Sequence, residues 1–345
     1  MKKKRPLLSD VAKEAGCSIA VASRALSANV AQRRTVSAGM QSQVVSAAER
    51  LGYLASRTQS RRRPFSLLGV FIPQYTPSLV LQLISSVAEE ANRLQAPVRL
   101  FTHLTAENYR SFADEVIENH HTAGVITYLP LDEASMRELR RLDGQASRRC
   151  CPVVYLHDEP PEEAVASVQI DNYRGGWLAG EHLKGFSCQE YWVFGSTRLY
   201  RRHRITGFID AVSIGGATTN VHCHFIANTD FSPGNELLNP LKDLWERRPV
   251  LTPEHPLGIF LDTDYLAPPL YNFLARRQVT LGREVKVVGY DGTNFSSLLT
   301  PKLTTVAQPF AEMGRAAVRK LLSLAEGNPE DAELLSPSLV QGEST

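Results

Sequence analysis

Hydrophobic residues recur at helical spacing in three short stretches near the start of the chain, and further on they gather into short β-rich runs. In the first stretch, Asp10 to Ala15, the residues Val11, Ala12 and Ala15 share one face, and Gly16 is placed to end the helix in a left-handed turn. Ser18 can cap a second helix, Ile19 to Leu26, whose inner side carries Ala22, Ala25 and Leu26. Small residues there let two helices approach closely, and the outcome is helix, three-residue turn, helix. A third helix over about Ser37 to Leu51 offers Val44, Val45, Ala48 and Leu51 as its buried stripe and stops at Gly52. Residues 1–56 thus read as a small all-α unit. Residues 57–66, which include Arg61, Arg62, Arg63 and Pro64 in succession, are polar and basic without apolar periodicity and read as a linker.

From Leu67 the pattern changes. Apolar runs occur at Leu67–Ile72, Val98–Phe101, Gly124–Tyr128, Val153–Leu156, Tyr191–Phe194, Val221–His224, Gly258–Leu261 and Val285–Gly289. Stretches of helix length lie between them, among them Leu79–Leu94, Tyr109–Asn119, Gly175–Leu183 and Leu266–Arg276. Strands that alternate with helices make a parallel α/β body over residues 67–345. Two successive doubly wound sheets with a cleft between them satisfy this pattern, and so does a single barrel.

Composition narrows the function classes. The chain has 345 residues, 43% hydrophobic, and no apolar run near the ~18 residues of a membrane span. Its five cysteines are odd in number and lack CxxC spacing, so neither a disulfide framework nor a zinc cage is indicated. The basic run Lys2 to Arg5 resembles the start of a secretory signal, but Asp10, Lys13 and Glu14 interrupt the apolar region such a signal needs, so a cytoplasmic location is expected. Charge is unevenly divided: residues 1–63 hold 13 Lys or Arg against 3 Asp or Glu, whereas the rest holds 25 against 33. A basic head on an acidic body suits binding to a polyanion, although a solvated basic tail has the same signature. No GxSxG, Walker loop, GxGxxG or HExxH is present, so an enzyme is not expected. His222 and His224 flank Cys223 and could share one face of a strand, but sequence places no third ligand and no metal site is expected. His120 and His121 read as surface residues, and the vicinal Cys150 and Cys151 as incidental.

The segment Asp10-Val-Ala-Lys-Glu-Ala-Gly-Cys-Ser-Ile-Ala-Val-Ala-Ser-Arg-Ala-Leu26 resembles the helix-turn-helix of the lactose-repressor (LacI/GalR) family of bacterial transcription regulators, and Ala47-Ala-Glu-Arg-Leu-Gly-Tyr53 is similar to the third helix of that head. Ile170-Asp-Asn172, with Gly175 and His182-Leu183 after it, resembles a motif of the family's effector lobes. So do Arg204-Ile-Thr-Gly-Phe208, Val287-Val-Gly-Tyr-Asp291 and Leu299-Thr-Pro-Lys-Leu-Thr-Thr-Val306. The match spreads over nearly the whole chain in the family's order. It implies a helix-turn-helix head on a two-lobed periplasmic-binding-protein-like core of two doubly wound parallel sheets. The first lobe is expected over 67–169 and 295–323, the second over 170–294 and 324–345. Function is then expected to be a homodimeric, cytoplasmic, nucleoid-associated repressor. It would bind a pseudo-palindromic operator in double-stranded DNA under control of a small effector, a sugar or related metabolite, without a cofactor. A solute-binding receptor that lacks specific DNA regulation is the alternative.

In that frame the recognition helix begins at Ser18 and presents Ile19, Ala20, Ser23 and Arg24 to the major groove. Ile19 and Ala20 offer apolar contact, as to a thymine methyl, whereas Arg24 can bond guanine or phosphate. The stretch between Arg24 and Val36 is longer than the family pattern, and Arg33 and Arg34 within it are expected to add phosphate contacts, as are Arg57 and Arg61. For the effector, the resemblance implies Arg204 and Asp291 as charged groups that fork to adjacent hydroxyls and Phe231 as a stacking ring. Tyr75, His157, Asp158 and Asp264 complete the candidate set. Thr263-Asp264 replaces the family's Asn-Asp pair, which removes one amide. Leu7 stands where the family has a capping threonine, a loss of about 1 kcal/mol unless Ser9 caps instead. Where the family's hinge presents a leucine wedge to the central minor groove, this chain has Arg62. An arginine enters a narrow minor groove electrostatically but does not unstack bases. Operator bending is therefore expected to be weak and the salt dependence of binding steep. A circular-permutation gel assay checks this, and strong bending at the operator centre would contradict it.

Overall fold

The computed structural model of the chain describes residues 7–26, 35–51, 53, 67–72, 78–101, 107–108, 110–111, 123–128, 152–156, 166–196, 199–214, 220–226, 234–326 and 328–345. The chain divides into two compact units, Met1–Ser66 and Leu67–Thr345.

The first unit holds α1 (Leu8–Glu14), α2 (Ile19–Ala25) and α3 (Ala38–Arg50). Helix α1 starts earlier than the apolar spacing suggested, because the Asp10 carboxylate accepts the Leu7 N–H at 2.7 Å and fixes Leu7 as the cap residue. Ser9, the expected substitute cap, lies inside the first turn. Gly16 takes φ +63° as expected, and the Cys17 N–H closes the helix end on the Ala12 carbonyl at 2.9 Å. The Ser18 hydroxyl accepts the Val21 N–H at 3.3 Å and starts α2. Val11, Ala12, Ala22, Ala25, Val36, Val44, Ala47 and Ala48 form the core of the unit. In α3 it is Ala47, not Val45, that is fully buried: positions 44, 47, 48 and 51 keep the 3.6-residue spacing, and Val45 falls off that stripe to a half-buried position.

In the second unit the described residues form two open six-stranded sheets, which excludes the single barrel. The strands are β1 (Leu67–Phe71), β2 (Val98–Phe101), β3 (Ala123–Thr127), β4 (Val153–Tyr155), β5 (Ser167–Ile170), β6 (Glu190–Gly195), β7 (Asn220–Phe225), β8 (Leu257–Leu261), β9 (Val285–Asp291), β10 (Thr304–Ala307), β11 (Ala332–Leu335) and β12 (Ser338–Val340). Their order is β11-β5-β4-β3-β1-β2 in the first sheet and β12-β10-β9-β8-β6-β7 in the second, parallel throughout except for the β10–β12 pair. Each sheet therefore reverses its winding once, between β1 and β3 or between β6 and β8, and crevices open at the carboxyl ends of strands at such points. The helices are α4 (Ser78–Arg93), α5 (Asn172–Lys184), α6 (Leu199–Ser213), α7 (Gly234–Arg247), α8 (Ala267–Ala275) and α9 (Phe310–Ala325). The helix expected over Tyr109–Asn119 falls largely outside the described residues.

The expected lobe boundaries need correction. Strand β10 pairs with β9 in the second sheet, α9 packs on α4 and the first sheet, β11 joins the first sheet beside β5, and β12 returns to the second. The chain thus passes between the sheets three times, after β5, between β10 and α9, and between β11 and β12. Residues 304–307 belong to the second lobe and 332–335 to the first. The reason is that β10 and β11 are four-residue segments of mixed polarity whose places are set by their strand partners rather than by apolar pattern.

Interior strands bury both faces, so β6 sends Trp192 and Phe194 to one side with α7 and α8, and Tyr191 and Val193 to the other with α5 and α6. Phe208 of α6 stacks on Phe260 of β8 at 4.7 Å, which presses α6 against the sheet. Helices α5 and α6 meet almost backbone to backbone. A Cβ on Gly176 would run into the Arg204 carbonyl oxygen, and one on Gly207 into that of Tyr173. Gly176→Ala is therefore expected to destabilise the fold by about 1–3 kcal/mol in urea unfolding. Gly39→Ala, on the exposed first turn of α3 with nothing within 4 Å of the new methyl, should stabilise by about 0.5–1 kcal/mol.

Candidate functional site

The α5–α6 contact fixes Arg204 at the carboxyl end of the second sheet, and three separate segments supply its partners. Its Nε donates to Asn172 Oδ1 at 2.7 Å, and its Nη1 donates to the Asp262 carbonyl at 2.7 Å and to Asp291 Oδ1 at 3.1 Å. The guanidinium lies 3.8 Å from the centre of the Tyr290 ring. Tyr290 in turn donates its hydroxyl to Asn172 Oδ1 at 3.2 Å. Arg204 is only 3% exposed, so this is an interior ion pair and not a surface bridge.

Asp291 closes β9 with φ +116°, a left-handed value that a residue with a side chain adopts at a cost. Its carboxylate is over-determined by neighbours. Oδ2 accepts the Thr263 hydroxyl at 2.6 Å, and Oδ1 accepts Gln308 Nε2 at 2.6 Å as well as Arg204. Gln308 lies on the segment that leaves β10 for α9, so one carboxylate joins α6, the end of β8 and a crossing between the lobes. Asp262, just after β8, is fully buried and accepts the Ser196 N–H, just after β6, at 2.6 Å. Arg201 Nη1 stands 3.6 Å from its other oxygen. Two guanidinium groups and two carboxylates thus share one buried region at the reversal point between β6 and β8. Burial raises the Asp262 carboxyl above its ordinary value, against the pull of Arg201, the Ser196 N–H and Arg204.

The structure places the expected residues as follows. Arg204 and Asp291 come together. Asp264 does not join them as an open contact group: its Oδ2 accepts the Thr293 N–H at 2.8 Å and the Thr293 hydroxyl at 2.9 Å, and its Oδ1 accepts the Thr305 hydroxyl at 2.6 Å. It braces the turn after β8 to β10, and burial together with the nearby Asp291 pushes it up to about 7. In the head, Ser18, Ile19, Ala20, Ser23 and Arg24 are all exposed, opposite the buried Ala22 and Ala25. Ile19 is 54% exposed, which rules out a core role for it within the unit. Arg24 Nε rests on the Ala20 carbonyl at 3.3 Å. Arg33, Arg34, Arg57, Arg61, Arg62, Tyr75, His157, Asp158 and Phe231 lie outside the described residues. His222 Nε2 stands 3.6 Å from Glu190 Oε2, and among the described residues no group of three or more His, Cys, Asp or Glu is arranged to hold a metal ion. Sequence reasoning passed over Asp262 and Gln308. Asn172 and Tyr290 were in view only as members of motifs.

Residues 181–345 match the periplasmic binding protein-like domain family. The HTH-type transcriptional repressor CytR of Escherichia coli (strain K12) is 26% identical over 335 residues, covering 93% of this chain and 90% of CytR. The ribose operon repressor of Bacillus subtilis (strain 168) is 26% identical over 333 residues, covering 93% and 92%. In fold, the chain superposes on the lac repressor dimer bound to operator and an anti-inducer with a TM-score of 0.64, 23% identity and 99% of both chains covered. Over nearly its whole length the chain is thus similar to transcriptional repressors and shares the fold of the lac repressor. A ribose-bound LacI family regulator from Enterococcus faecium gives a TM-score of 0.64 at 21% identity, over 81% of this chain and 98% of that one. Within the core, three of the motifs on which the resemblance rests, at Ile170–Asn172, Arg204–Phe208 and Val287–Asp291, meet around the Arg204 guanidinium.

Asp264 provides a test of the buried electrostatics. Its native carboxyl is raised from 3.8 to about 7, so the protonated form is favoured by folding. The stabilisation is complete below about pH 4 and drains away as the pH rises to about 7, where it levels off, at a slope of at most about 1.4 kcal/mol per pH unit. Asp264→Asn mimics the neutral carboxyl and lacks the slope. Chemical unfolding between pH 4 and 8 should show the parent losing stability relative to the variant over that window, and parallel profiles would show that Asp264 titrates normally.

Proposed function

We propose that this chain is a ligand-controlled transcriptional repressor that acts as a homodimer on a pseudo-palindromic operator in the cytoplasm, on nucleoid DNA. The observation that carries the reading is the buried Arg204–Asp291 pair at the β6/β8 reversal point, built from separated motifs in a chain that also carries an exposed recognition-type helix on a basic head. In support, the relatives CytR and the ribose operon repressor are repressors, the lac repressor structure is a dimer on operator, and the Enterococcus faecium regulator holds ribose. The effector is proposed to be a carbohydrate or related metabolite bound between the lobes, and the protein to be a regulator with no catalytic step.

Helix α2 would enter the major groove through Ile19, Ala20, Ser23 and Arg24, with Ser18 capping its N-terminus. The Arg24 guanidinium is the group able to fork to a guanine. Arg33, Arg34, Arg57, Arg61 and Arg62 would supply phosphate and minor-groove contacts. In the core, Arg204 and Asp291 would meet the effector's hydroxyls, with Tyr75, His157, Asp158 and Phe231 closing around it. Because Asp291 is bonded both to Arg204 and to Gln308, a hydroxyl that competes for its Oδ1 alters the β10–α9 crossing, and this links occupancy to the angle between lobes. Such coupling is reciprocal: an effector that loosens operator binding must itself bind more weakly to the DNA complex.

The test is a selection of bound genomic fragments followed by gel shifts with and without neutral sugars. Arg24→Ala is expected to cost about 1–3 kcal/mol of discrimination at one base pair in each half-site while leaving random-duplex binding nearly unchanged. Arg204→Ala and Asp291→Ala should keep operator binding and lose the sugar response. A parent that shows no preference among fragments at moderate salt overturns the reading.

A further inference from the structure

Asp262 has one carboxylate oxygen in use and one without a hydrogen bond. Oδ2 takes the Ser196 N–H, whereas Oδ1 is buried with no hydrogen-bond partner among the described residues. The nearest cation, Arg201 Nη1, is 3.6 Å away, beyond the length of a charge-assisted hydrogen bond. A structural partner chosen only to neutralise Arg201 would sit closer, and a fully buried acceptor left open is costly enough that folded proteins seldom keep one. The surrounding chain is shaped to hold the carboxylate there. A Cβ at Gly195, the last residue of β6, would come within 2.7 Å of Asp262 Oδ2, so the glycine makes the space. The position is the carboxyl end of β8 at the reversal point of the sheet, and the Asp262 backbone carbonyl holds the Arg204 guanidinium.

We propose that Asp262 is a further effector-binding residue whose open oxygen accepts an O–H of a neutral polyhydroxylated effector and discriminates against phosphorylated ones. The proposal rests on the repressor reading above and adds a specificity rule to it. A sugar hydroxyl both donates and accepts, so it bridges Asp262 Oδ1 and a guanidinium nitrogen of Arg201 or Arg204 without change of net charge. A phosphate dianion in the same place has no proton to give and meets the carboxylate at short range in a medium that screens poorly. Asp291 has no such spare oxygen, since both of its own are engaged by Thr263, Gln308 and Arg204.

The experiment is a thermal-shift screen of the full chain against D-ribose, D-glucose, cellobiose and uridine, each paired with a phosphorylated counterpart where one exists, followed by titration calorimetry of the hits. Parent, Asp262→Asn and Arg204→Ala are compared. Neutral compounds are expected to be the hits. Asp262→Asn should weaken the hit roughly tenfold and bring its phosphorylated counterpart to comparable affinity. A phosphorylated compound preferred by the parent overturns the proposal, and so does an Asp262→Asn variant with unchanged affinity and unchanged selectivity, which is what a purely structural Asp262 predicts. Should Asp262→Asn fail to fold, the parent's preference within each pair still decides. If no compound shifts the parent and Arg204→Ala responds identically, the ligand-controlled reading itself fails, a result distinct from those that remove Asp262 alone.

Discussion

Taking a guanidinium and a carboxylate out of water costs several kcal/mol for each ion, and the cost is offset only where geometry and additional hydrogen bonds replace the lost hydration. The Arg204–Asp291 pair meets that condition by drawing one partner from nearly every element around it: Asn172 from α5, the Asp262 carbonyl and Thr263 after β8, Tyr290 from β9 and Gln308 beyond β10. Much else in the second lobe follows from this requirement. Glycines 176 and 207 bring α5 close enough to α6 for Asn172 to reach the guanidinium. The unusual φ of Asp291 turns its carboxylate back toward Arg204 rather than along the strand. Burial of a second carboxylate, Asp264, together with the nearby Asp291, makes its proton hard to remove, and the threonine hydroxyls around it tie β10 to the turn after β8.

Most of the fold was legible where the physics is local. Gly16, Ser18 and the Ala22–Ala25 spacing mark the helix-turn-helix because caps and left-handed turns need particular residue types. The buried interior strands, such as Leu257–Leu261, stand out as continuous apolar runs because both their faces are covered. What local pattern does not carry are the strands defined by their neighbours. Ser167–Ile170, Thr304–Ala307 and Ala332–Leu335 mix polar and apolar residues, and their sheet membership is a matter of register with partners far along the chain. Hence the assignment of β10 and β11 to the wrong lobes.

The candidate site divides along the same line. Arg204 and Asp291 could be picked from sequence because each sits in a recognisable motif. Asp264 was picked for the same reason, and its carboxylate is used up internally, since no motif tells which way an aspartate at the end of a strand will turn. Asp262 was overlooked: two residues away, in a run of alternating acidic and neutral positions, it is distinguished only by the arginine and the backbone N–H that the fold sets against it. In the head, by contrast, exposure follows directly from helical spacing, and Ile19 is as uncovered as the reading of α2 as a surface reader requires.

The three passages of the chain between the two sheets carry an implication for how the core can be made and moved. Neither lobe is a continuous gene segment: the first needs β11 and α9 from the far end of the polypeptide, and the second is sealed by β12 after the chain has already left it once. Synthesis must therefore run nearly to completion before either half closes, so a ribosome-bound fragment ending before α9 has two unfinished sheets and not one finished lobe. Any displacement of one half against the other must be accommodated in all three tethers at once.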